Sequence, residues 1–152
     1  MRPILHDLIQ IDSLTETQVV ELHALFQNEW WTKGRELDDV REMLKVSLVI
    51  AFAERETGRL VAFCRLLTDF VYRGMIYDVV VAPAWRGRRL GRRLVEAILA
   101  HPRLQRIELL SLSCVPDMVP FYEKWGFQVL ADEGRRWMVR PRPVATGSPQ
   151  QS

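Results

Sequence analysis

Short apolar runs alternate along this chain with longer segments in which apolar residues recur every three or four positions. The first pattern predicts β-strands, and the second predicts amphipathic helices. Strands are predicted at residues 4–11, 48–53, 60–67, 77–81 and 106–114, with a final hairpin formed by residues 128–130 and 136–139. Helices are predicted at residues 16–28, 90–99 and 118–125, with a short helix that Asp38 or Asp39 caps and that ends at residue 45.

Polar and special residues mark where these elements begin and end. Asp12, Ser13 and Thr15 are candidate N-caps for the first helix, because their short side chains accept hydrogen bonds from free helical N–H groups. The polar residues 54–59 predict the turn of an antiparallel hairpin. Gly126 suits the left-handed conformation that ends many helices. Residues from 141 onward lack apolar periodicity, so we expect one domain over residues 1–140 and a disordered tail over 141–152.

Composition narrows the class of protein. The chain has 152 residues, of which 48% are hydrophobic and 26% charged, as in an ordinary soluble domain. Its formal net charge of +2 does not favour wholesale nucleic-acid binding. Cys64 and Cys114 lie in apolar runs without a metal-binding spacing, which favours buried thiols in a reduced compartment. The charged amino terminus and the lack of a long apolar run predict a cytosolic protein that does not cross a membrane.

The residues that suggest chemistry are concentrated in residues 78–99, DVVVAPAWRGRRLGRRLVEAIL. This segment predicts a strand, a glycine-containing turn and a helix. The start of that helix lies among five arginines, Arg86, Arg88, Arg89, Arg92 and Arg93. The N-terminus of a helix presents unbonded N–H groups and a partial positive charge, and phosphate groups bind there. A ligand with several phosphate charges is therefore expected, whereas a nucleic-acid patch would need interleaved aromatic residues beyond Trp85.

This segment resembles the acyl-CoA-binding motif of the GCN5-related N-acetyltransferase (GNAT) superfamily, (Arg/Gln)-x-x-Gly-x-(Gly/Ala). Arg86 and Gly91 occupy the first and last positions, and Arg89 occupies the position of the middle glycine. If that position needs a positive φ, its side chain costs about 1 kcal/mol. A second segment, residues 120–127 (PFYEKWGF), resembles the superfamily's A-x-x-F-Y-x-x-x-G-F segment. The predicted order of elements is also similar to that of the superfamily.

The resemblance implies an α/β (α+β) fold with a central mixed, mostly antiparallel sheet of six to seven strands and about four helices. It also implies acetyl-CoA as the cosubstrate and no metal. Coenzyme A would be held by the strand after Asp78, by the turn and by the start of the helix. The residues implied for this contact are Val79, Val80, Val81, Arg86, Gly87, Arg88, Arg89, Leu90, Gly91 and Arg92.

Two residues are given catalytic roles by the resemblance. Tyr122 would donate its phenolic proton to the departing thiolate, although it could instead only fill the core. Asp78 stands where many relatives carry Glu and would take the proton of the amine, directly or through a water. By strand alternation Asp78 shares a face with Ile76 and Val80. It is therefore either a desolvated base with a raised pKa or a structural carboxylate bonded to neighbouring amides.

The acceptor site is predicted from two aromatic-rich connections, because the corresponding loops line the acceptor pocket in the superfamily. The candidate residues are Trp30, Trp31, Arg35, Asp69, Phe70 and Tyr72. Their rings favour an apolar or aryl amine, whose ammonium group Asp69 could hold. Trp30 could instead close the first helix against the core.

Taken with the resemblance, the sequence predicts an acetyl-CoA-dependent N-acetyltransferase that acts on a small amine. Two alternatives stay open. One is acetylation of a protein at a lysine or at its N-terminus, and the other is a non-catalytic acyl-CoA-binding module on the same fold. The expected partner is a small-molecule amine rather than nucleic acid or a membrane, and a homodimer is left open.

Overall fold

The computed structural model describes residues 7–130 and 134–143, and this part of the chain forms five strands and four α-helices. The strands are β1 (Leu8–Ile11), β2 (Leu48–Glu54), β3 (Leu60–Thr68), β4 (Arg73–Val81) and β5 (Leu109–Ser111). The helices are α1 (Glu16–Gln27), α2 (Leu37–Lys45), α3 (Leu90–Ala100) and α4 (Val119–Glu123). Single 3₁₀ turns form at Pro83–Trp85, Pro102–Leu104 and Pro116–Met118. The chain divides into two compact units, Met1–Ser113 and Cys114–Ser152.

The strands of the first unit form one mixed sheet in the order β1-β2-β3-β4-β5. The strands β1 to β4 pair antiparallel with their neighbours, and β4 and β5 pair in parallel. A parallel pair needs a crossover connection, which α3 supplies between β4 and β5. The predicted mixed, mostly antiparallel α/β fold is confirmed, although the described residues form five strands rather than six to seven.

Helices pack on the sheet of the first unit in two places. One core cluster joins α1 and α2 to the sheet and contains Val19, Leu22, Phe26, Val40, Val49, Ala51, Leu60, Phe63 and Val80. The apolar side of α3 packs separately on β2, β3 and β4, and its buried residues are Leu90, Leu94, Val95 and Ile98. Because helices cover the sheet on both faces, β2 and β3 are buried at nearly every position instead of at alternate ones.

The start of α1 is fixed by a reciprocal pair of hydrogen bonds. The Thr15 hydroxyl accepts from the N–H of Gln18 at 3.2 Å, and the Gln18 side chain accepts from the N–H of Thr15 at 2.9 Å. This is a capping box, so Thr15 is the cap among the three candidates. The Gln18 amide also donates to the Gly58 carbonyl at 2.7 Å, which ties α1 to the turn between β2 and β3.

In the second unit, the helix predicted at residues 118–125 forms as the shorter α4, Val119–Glu123. Pro120 lies in the first turn of α4, and Gly126 has a φ of 87°. The predicted final hairpin is wrong for the described residues, because 128–130 and 136–139 form no strand. Apolar residues there, such as Val129 and Trp137, are exposed, and a two-stranded hairpin without a buried face is not stable alone.

Some predicted segments lie outside the described residues. These are residues 1–6 at the start of the first predicted strand, residues 131–133 in the turn of the final hairpin, and residues 144–152 of the predicted tail. Residues 141–143 form neither helix nor strand.

Candidate active site

The candidate site is built around an irregularity in β4. Tyr77 lies opposite Arg65 of β3, and Val80 lies opposite Phe63, so two residues of β4 face one residue of β3 between these pairs. This arrangement is a β-bulge. The first residue of the bulge is Asp78, whose φ of 56° lies in the left-handed region. Asp is one of the few residues other than glycine that enter this region readily.

The bulge changes which side chains of β4 share a face. Ile76 pairs with Leu66 of β3, whereas Val80 pairs with Phe63. Paired residues share a face, and Leu66 and Phe63 are an odd number of positions apart, so Ile76 and Val80 lie on opposite faces. The predicted alternation of Ile76, Asp78 and Val80 on one face is therefore wrong, because the register shift interrupts it.

Asp78 is enclosed by two guanidinium groups, and its side chain is 4% exposed. Arg35, from the connection between α1 and α2, donates to the two carboxylate oxygens at 2.8 and 3.0 Å. Arg65 donates through Nε at 2.6 Å. Burial raises the pKa of Asp78, but the hydrogen bonds and charges of Arg35 and Arg65 lower it by more, so this pKa lies below its ordinary value. The expectation of a raised pKa is wrong, and the bonded partners are arginines rather than neighbouring amides.

Part of the outer edge of β4 has no strand beside it. β5 pairs with β4 only at residues 73–75, and in the described part of the chain no other strand pairs with this edge. Residues 76–81 can therefore offer N–H and C=O groups to an extended ligand, as a sheet edge does to an added strand. Val79, Val80 and Val81, three of the predicted coenzyme A contacts, lie on this segment.

The turn after β4 has the conformation of an anion-binding turn. Gly87 and Arg89 have φ values of 75° and 62°, so both adopt the left-handed region. α3 begins at Leu90, and its N-cap Arg89 makes no side-chain cap hydrogen bond. The N–H groups of Leu90, Gly91 and Arg92 belong to the first turn of the helix. Around Gly87 an added Cβ would meet nothing within 4 Å. The turn is therefore open, and together with the start of α3 it can accommodate an anion.

Two arginines of this turn already have partners within the first unit. Arg86 donates to Glu29 at 2.9 Å, and Arg88 lies over the ring of Trp85 at 5.5 Å. Glu29 directly precedes Trp30, so the first of these contacts holds the α1–α2 connection against the turn. A phosphate ligand would compete with Glu29 for Arg86.

The predicted acceptor residues fall into two groups. Trp30, Trp31 and Arg35 lie in the α1–α2 connection. Because Arg35 binds Asp78 and Glu29 binds Arg86, both ends of this connection contact the site. The structure therefore brings these three residues to the bulge of β4 and to the turn that follows it.

The tryptophans of this connection do not close the core. Trp30 is 78% exposed, Trp31 is also exposed, and their ring centroids lie 5.8 Å apart. The core beneath is closed by Phe26 and by Thr32, whose hydroxyl donates to the Phe26 carbonyl at 2.7 Å. The packing role considered for Trp30 is therefore wrong.

The structure does not bring Asp69, Phe70 and Tyr72 to the site. They lie in the turn that precedes β4, whereas Arg35 contacts β4 at Asp78. β4 begins at Arg73, five positions before Asp78, so roughly 17 Å of strand separates this turn from that contact. This separation corrects the prediction that both aromatic-rich connections line one acceptor pocket.

Asp69 has a structural role in its own turn. Its Oδ1 accepts hydrogen bonds from the N–H groups of Val71, Tyr72 and Arg73 at 2.8 to 3.1 Å. These bonds hold the pKa of Asp69 below its ordinary value. The carboxylate predicted to hold an ammonium group instead organises the β3–β4 turn.

Tyr122 lies on α4 in the second unit and is buried. Its ring packs edge-to-face against Phe121 at 4.9 Å and against Phe127 at 5.9 Å. These contacts fix the ring. The role of Tyr122 as a proton donor stays a prediction.

The remaining reactive groups add little to the site. Cys64 is buried, and burial raises the pKa of its thiol to about 12, whereas Cys114 is exposed, contrary to expectation. In residues 7–130 and 134–143, no three His, Cys, Asp or Glu side chains group as a metal site requires. No helix in those residues is long and apolar enough to cross a membrane.

Two contacting residues were missed from the sequence. Arg65 interrupts the apolar run of β3, and a charged residue in such a run needs a partner, so this signal was available. Glu29 carried no comparable signal, because it stands at the polar end of a helix. Its partner Arg86 is 57 residues away along the chain.

Comparisons with known proteins agree with this geometry. The sequence profile of the acetyltransferase (GNAT) family matches residues 6–127. An uncharacterised N-acetyltransferase of Pyropia yezoensis, ycf52, is 31% identical over 78% of this chain and 70% of its own length. Serotonin N-acetyltransferase 2, chloroplastic, of Oryza sativa subsp. japonica is 32% identical over 79% of this chain and 61% of its own length. A Xanthomonas campestris pv. campestris crystal structure, described as belonging to the GNAT family, superposes with a TM-score of 0.76 at 28% identity, over 92% of this chain and 98% of that one. The chain therefore belongs to the GNAT family of acetyltransferases.

Proposed function

We propose that this protein transfers the acetyl group of acetyl-CoA to the nitrogen of a small amine with an apolar or aryl body. The observation that carries the proposal is the junction of β4 and α3. There an unpaired strand edge is followed by two left-handed residues, Gly87 and Arg89, and by the start of a helix. This order of groups suits an extended thioester arm that ends in phosphates.

The chain's own residues would divide the work between them. Acetyl-CoA supplies the acetyl group as a thioester. The backbone of Val79 to Val81 binds the extended arm, and the turn from Arg86 to Arg92 binds the phosphates. Tyr122 donates a proton to the leaving sulfur, because a thiolate is a poorer leaving group than a thiol.

Asp78 is a weak candidate for the base. An alkylammonium group has a pKa near 10, close to that of lysine. A carboxylate whose pKa is held below its ordinary value by Arg35 and Arg65 is much too weak a base to take this proton. In this proposal the ammonium group loses one proton to water before the attack. As the C–N bond forms and the C–S bond breaks, the nitrogen loses a second proton, which through water replaces the one that Tyr122 gives to the sulfur. Asp78 stays ionised throughout.

The exposed tryptophans favour an aryl acceptor. Trp30 and Trp31 are exposed on the α1–α2 connection, whose Arg35 binds Asp78. Flat rings stack on other rings at low cost in side-chain entropy. Serotonin, the amine in the name of the rice relative, is an arylalkylamine, in which an alkyl amine carries an aryl body. A lysine-rich protein tail would instead favour an open acidic groove, but Glu29 on this segment is already paired with Arg86. Since that relative's name also carries a chloroplast designation, a cytosolic location stays a prediction.

A panel of acceptors tests the function. Acetyl-CoA would be incubated with the full chain and tryptamine, tyramine, glucosamine 6-phosphate or a lysine peptide, and thiol release and product mass would be measured. We expect kcat/KM for the aryl amines to exceed that for the peptide by about tenfold or more, a difference of about 1.4 kcal/mol. Turnover of the peptide alone would show a protein acetyltransferase. Coenzyme A binding without turnover of any acceptor would show a binding module.

The coenzyme A site has a matched pair of variants. Arg86→Glu with Arg88→Glu should weaken acetyl-CoA binding in calorimetry, and more strongly at low salt, because charge interactions are screened as salt rises. Arg103→Glu with Arg106→Glu makes the same change of charge after α3, far from its start, and should leave the affinity nearly unchanged. Equal affinity in the two double variants would remove the site from the turn after β4.

A further inference from the structure

We infer that Asp78 is a positioning residue, held by Arg35 and Arg65, whose carboxylate fixes the bulge of β4 for the reaction. The inference rests on the proposed acetyl transfer. It assigns a role to two arginines that no sequence motif connects with each other. Arg65 lies on β3, and Arg35 lies on the α1–α2 connection. The three side chains are called the Asp78 clamp below.

The bulge needs an anchor because its backbone is unfavourable. Asp78 has a φ of 56°, and residues with a Cβ persist in this region only where surrounding contacts hold them. The contacts here are charged hydrogen bonds to a carboxylate that is almost fully enclosed. Oδ1 accepts from Arg35, and Oδ2 accepts from Arg35 and Arg65. Both oxygens are therefore occupied by guanidinium groups.

The two arginines are themselves fixed, so the clamp has a defined geometry. Arg65 is 12% exposed, lies 4.9 Å from the ring centroid of Tyr77 and donates to the Ser47 hydroxyl at 3.3 Å. Arg35 is 31% exposed and lies over the Phe26 ring at 4.7 Å. A planar guanidinium that is stacked and bound through two hydrogen bonds has little freedom to turn away.

The enclosure also argues against proton transfer at Asp78. The side chain is 4% exposed, and three guanidinium hydrogen bonds fill three of about four acceptor positions, so an ammonium group or a relay water has little access to either oxygen. The carboxylate then acts by its shape and its hydrogen bonds, and not by accepting a proton. The two roles predict opposite rankings of substituted enzymes.

The clamp is placed where position matters for acetyl transfer. The bulge lies in the middle of the unpaired edge of β4, residues 76–81, and a bulge leaves backbone groups outside the regular ladder. Arg35 also joins this edge to the segment that carries Trp30 and Trp31. A shift of the bulge would therefore disturb the thioester and the acceptor together, and small misplacements of reacting groups slow catalysis strongly.

Three substitutions at one position separate the roles. Asp78→Asn keeps the size and tolerates the left-handed region. With its amide oxygen in the place of Oδ2 it accepts two of the three hydrogen bonds, one from Arg35 and one from Arg65, and loses the third, but it cannot serve as a base. Asp78→Glu keeps a carboxylate, but it is longer and less suited to this backbone. Asp78→Ala loses both properties. If Asp78 is a positioning residue, Asn retains kcat within about tenfold and keeps the wild-type pH profile, whereas Glu and Ala lose about 100-fold or more.

A base would give the reverse order, with Glu more active than Asn and a loss of 10²-fold or more in Asn. That order, or equal activity in all three variants, overturns the inference. Thermal unfolding of each variant shows whether it is folded. If the Asp78 variants do not fold, Arg35→Lys and Arg35→Ala take their place, because Arg35 is partly exposed. The inference then requires a lower kcat and a higher KM for both substrates in Arg35→Ala, a smaller effect in Arg35→Lys, and wild-type values in the exposed control Arg55→Ala.

The test remains informative if the wild type acetylates none of the amines in the panel. In that case the proposed function fails, and coenzyme A binding by calorimetry tests the clamp alone. The clamp predicts wild-type affinity in Asp78→Asn and an affinity lowered by about tenfold or more in Asp78→Ala, since only the second loses the bulge. Equal affinity in these two variants would contradict the clamp without bearing on the reaction.

Discussion

Single residues in the left-handed region carry much of the geometry of the first unit. Phe70, Asp78 and Arg89 all have positive φ values without being glycine. Phe70 is covered by the guanidinium of Arg103 at 3.8 Å, and Asp78 is bonded to two arginines. Arg89 gives the helix that it precedes no side-chain cap. We therefore expect the strain at Arg89 to be the least compensated of the three.

Replacing Arg89 with glycine should make the protein more stable. Glycine adopts positive φ freely, so Arg89→Gly should raise the free energy of unfolding by up to about 1 kcal/mol, less the extra chain entropy that glycine brings to the unfolded state. Urea denaturation would measure the change. Arg92→Gly, inside the first turns of α3, is the control and should lower stability by about 1 kcal/mol. Loss of stability in both variants would show that Arg89 is not strained.

At the scale of elements, those with their own start and stop signals were predicted best. α1 was predicted at residues 16–28 and forms at Glu16–Gln27, because its cap lies within the local sequence. β5 was predicted at residues 106–114 but forms only at Leu109–Ser111. A strand extends only as far as its partner accepts hydrogen bonds, and β4 pairs with β5 only at residues 73–75. The length of a strand is thus a property of the sheet and not of its own residues.

The capping box of α1 gives a prediction at this scale. Thr15→Ala removes the hydroxyl that accepts from the N–H of Gln18, so it should lower the free energy of unfolding by about 1 kcal/mol. Ser13→Ala is the matched control, since Ser13 was an equal candidate in the sequence and does not cap the helix. Its effect should stay within about 0.5 kcal/mol. Denaturant unfolding of both variants would decide, and equal losses would place the cap elsewhere.

The bulge of β4 lay beyond sequence reasoning for a physical reason. The apolar run after Asp78 would read the same whether or not β4 contained a bulge. The bulge depends on how β4 pairs with β3, which the residues of β4 do not show. The arginines of the clamp are 13 and 43 positions from Asp78, so no local pattern joins them. The sequence left open whether Asp78 is a desolvated base or a structural carboxylate. It could not show that two guanidinium groups reverse the effect of burial on its pKa.

At the scale of the whole molecule, the order of elements along the chain already argued against one acceptor pocket lined by both aromatic-rich connections. A turn that precedes a strand and a turn that follows it lie at opposite ends of that strand. Asp69 to Tyr72 precede β4, so they lie at the end of the strand away from Arg86, whose partner Glu29 adjoins Trp30 and Trp31. The α1–α2 connection is different, because only tertiary contacts, Glu29 with Arg86 and Arg35 with Asp78, place it at the site.

In the proposed reaction, the Tyr122 hydroxyl gives its proton to the leaving sulfur. Tyr122→Phe removes one hydroxyl and keeps the ring that packs against Phe121 and Phe127. Loss of a positioned proton donor should lower kcat by about 10²-fold, while the dissociation constant of acetyl-CoA stays near the wild-type value. Tyr72→Phe is the matched control, because this exposed tyrosine lies at the far end of β4, and its kcat should not change. Steady-state kinetics and calorimetry would measure both variants. Full turnover in Tyr122→Phe would show that water protonates the leaving sulfur and that the Tyr122 ring has a packing role alone.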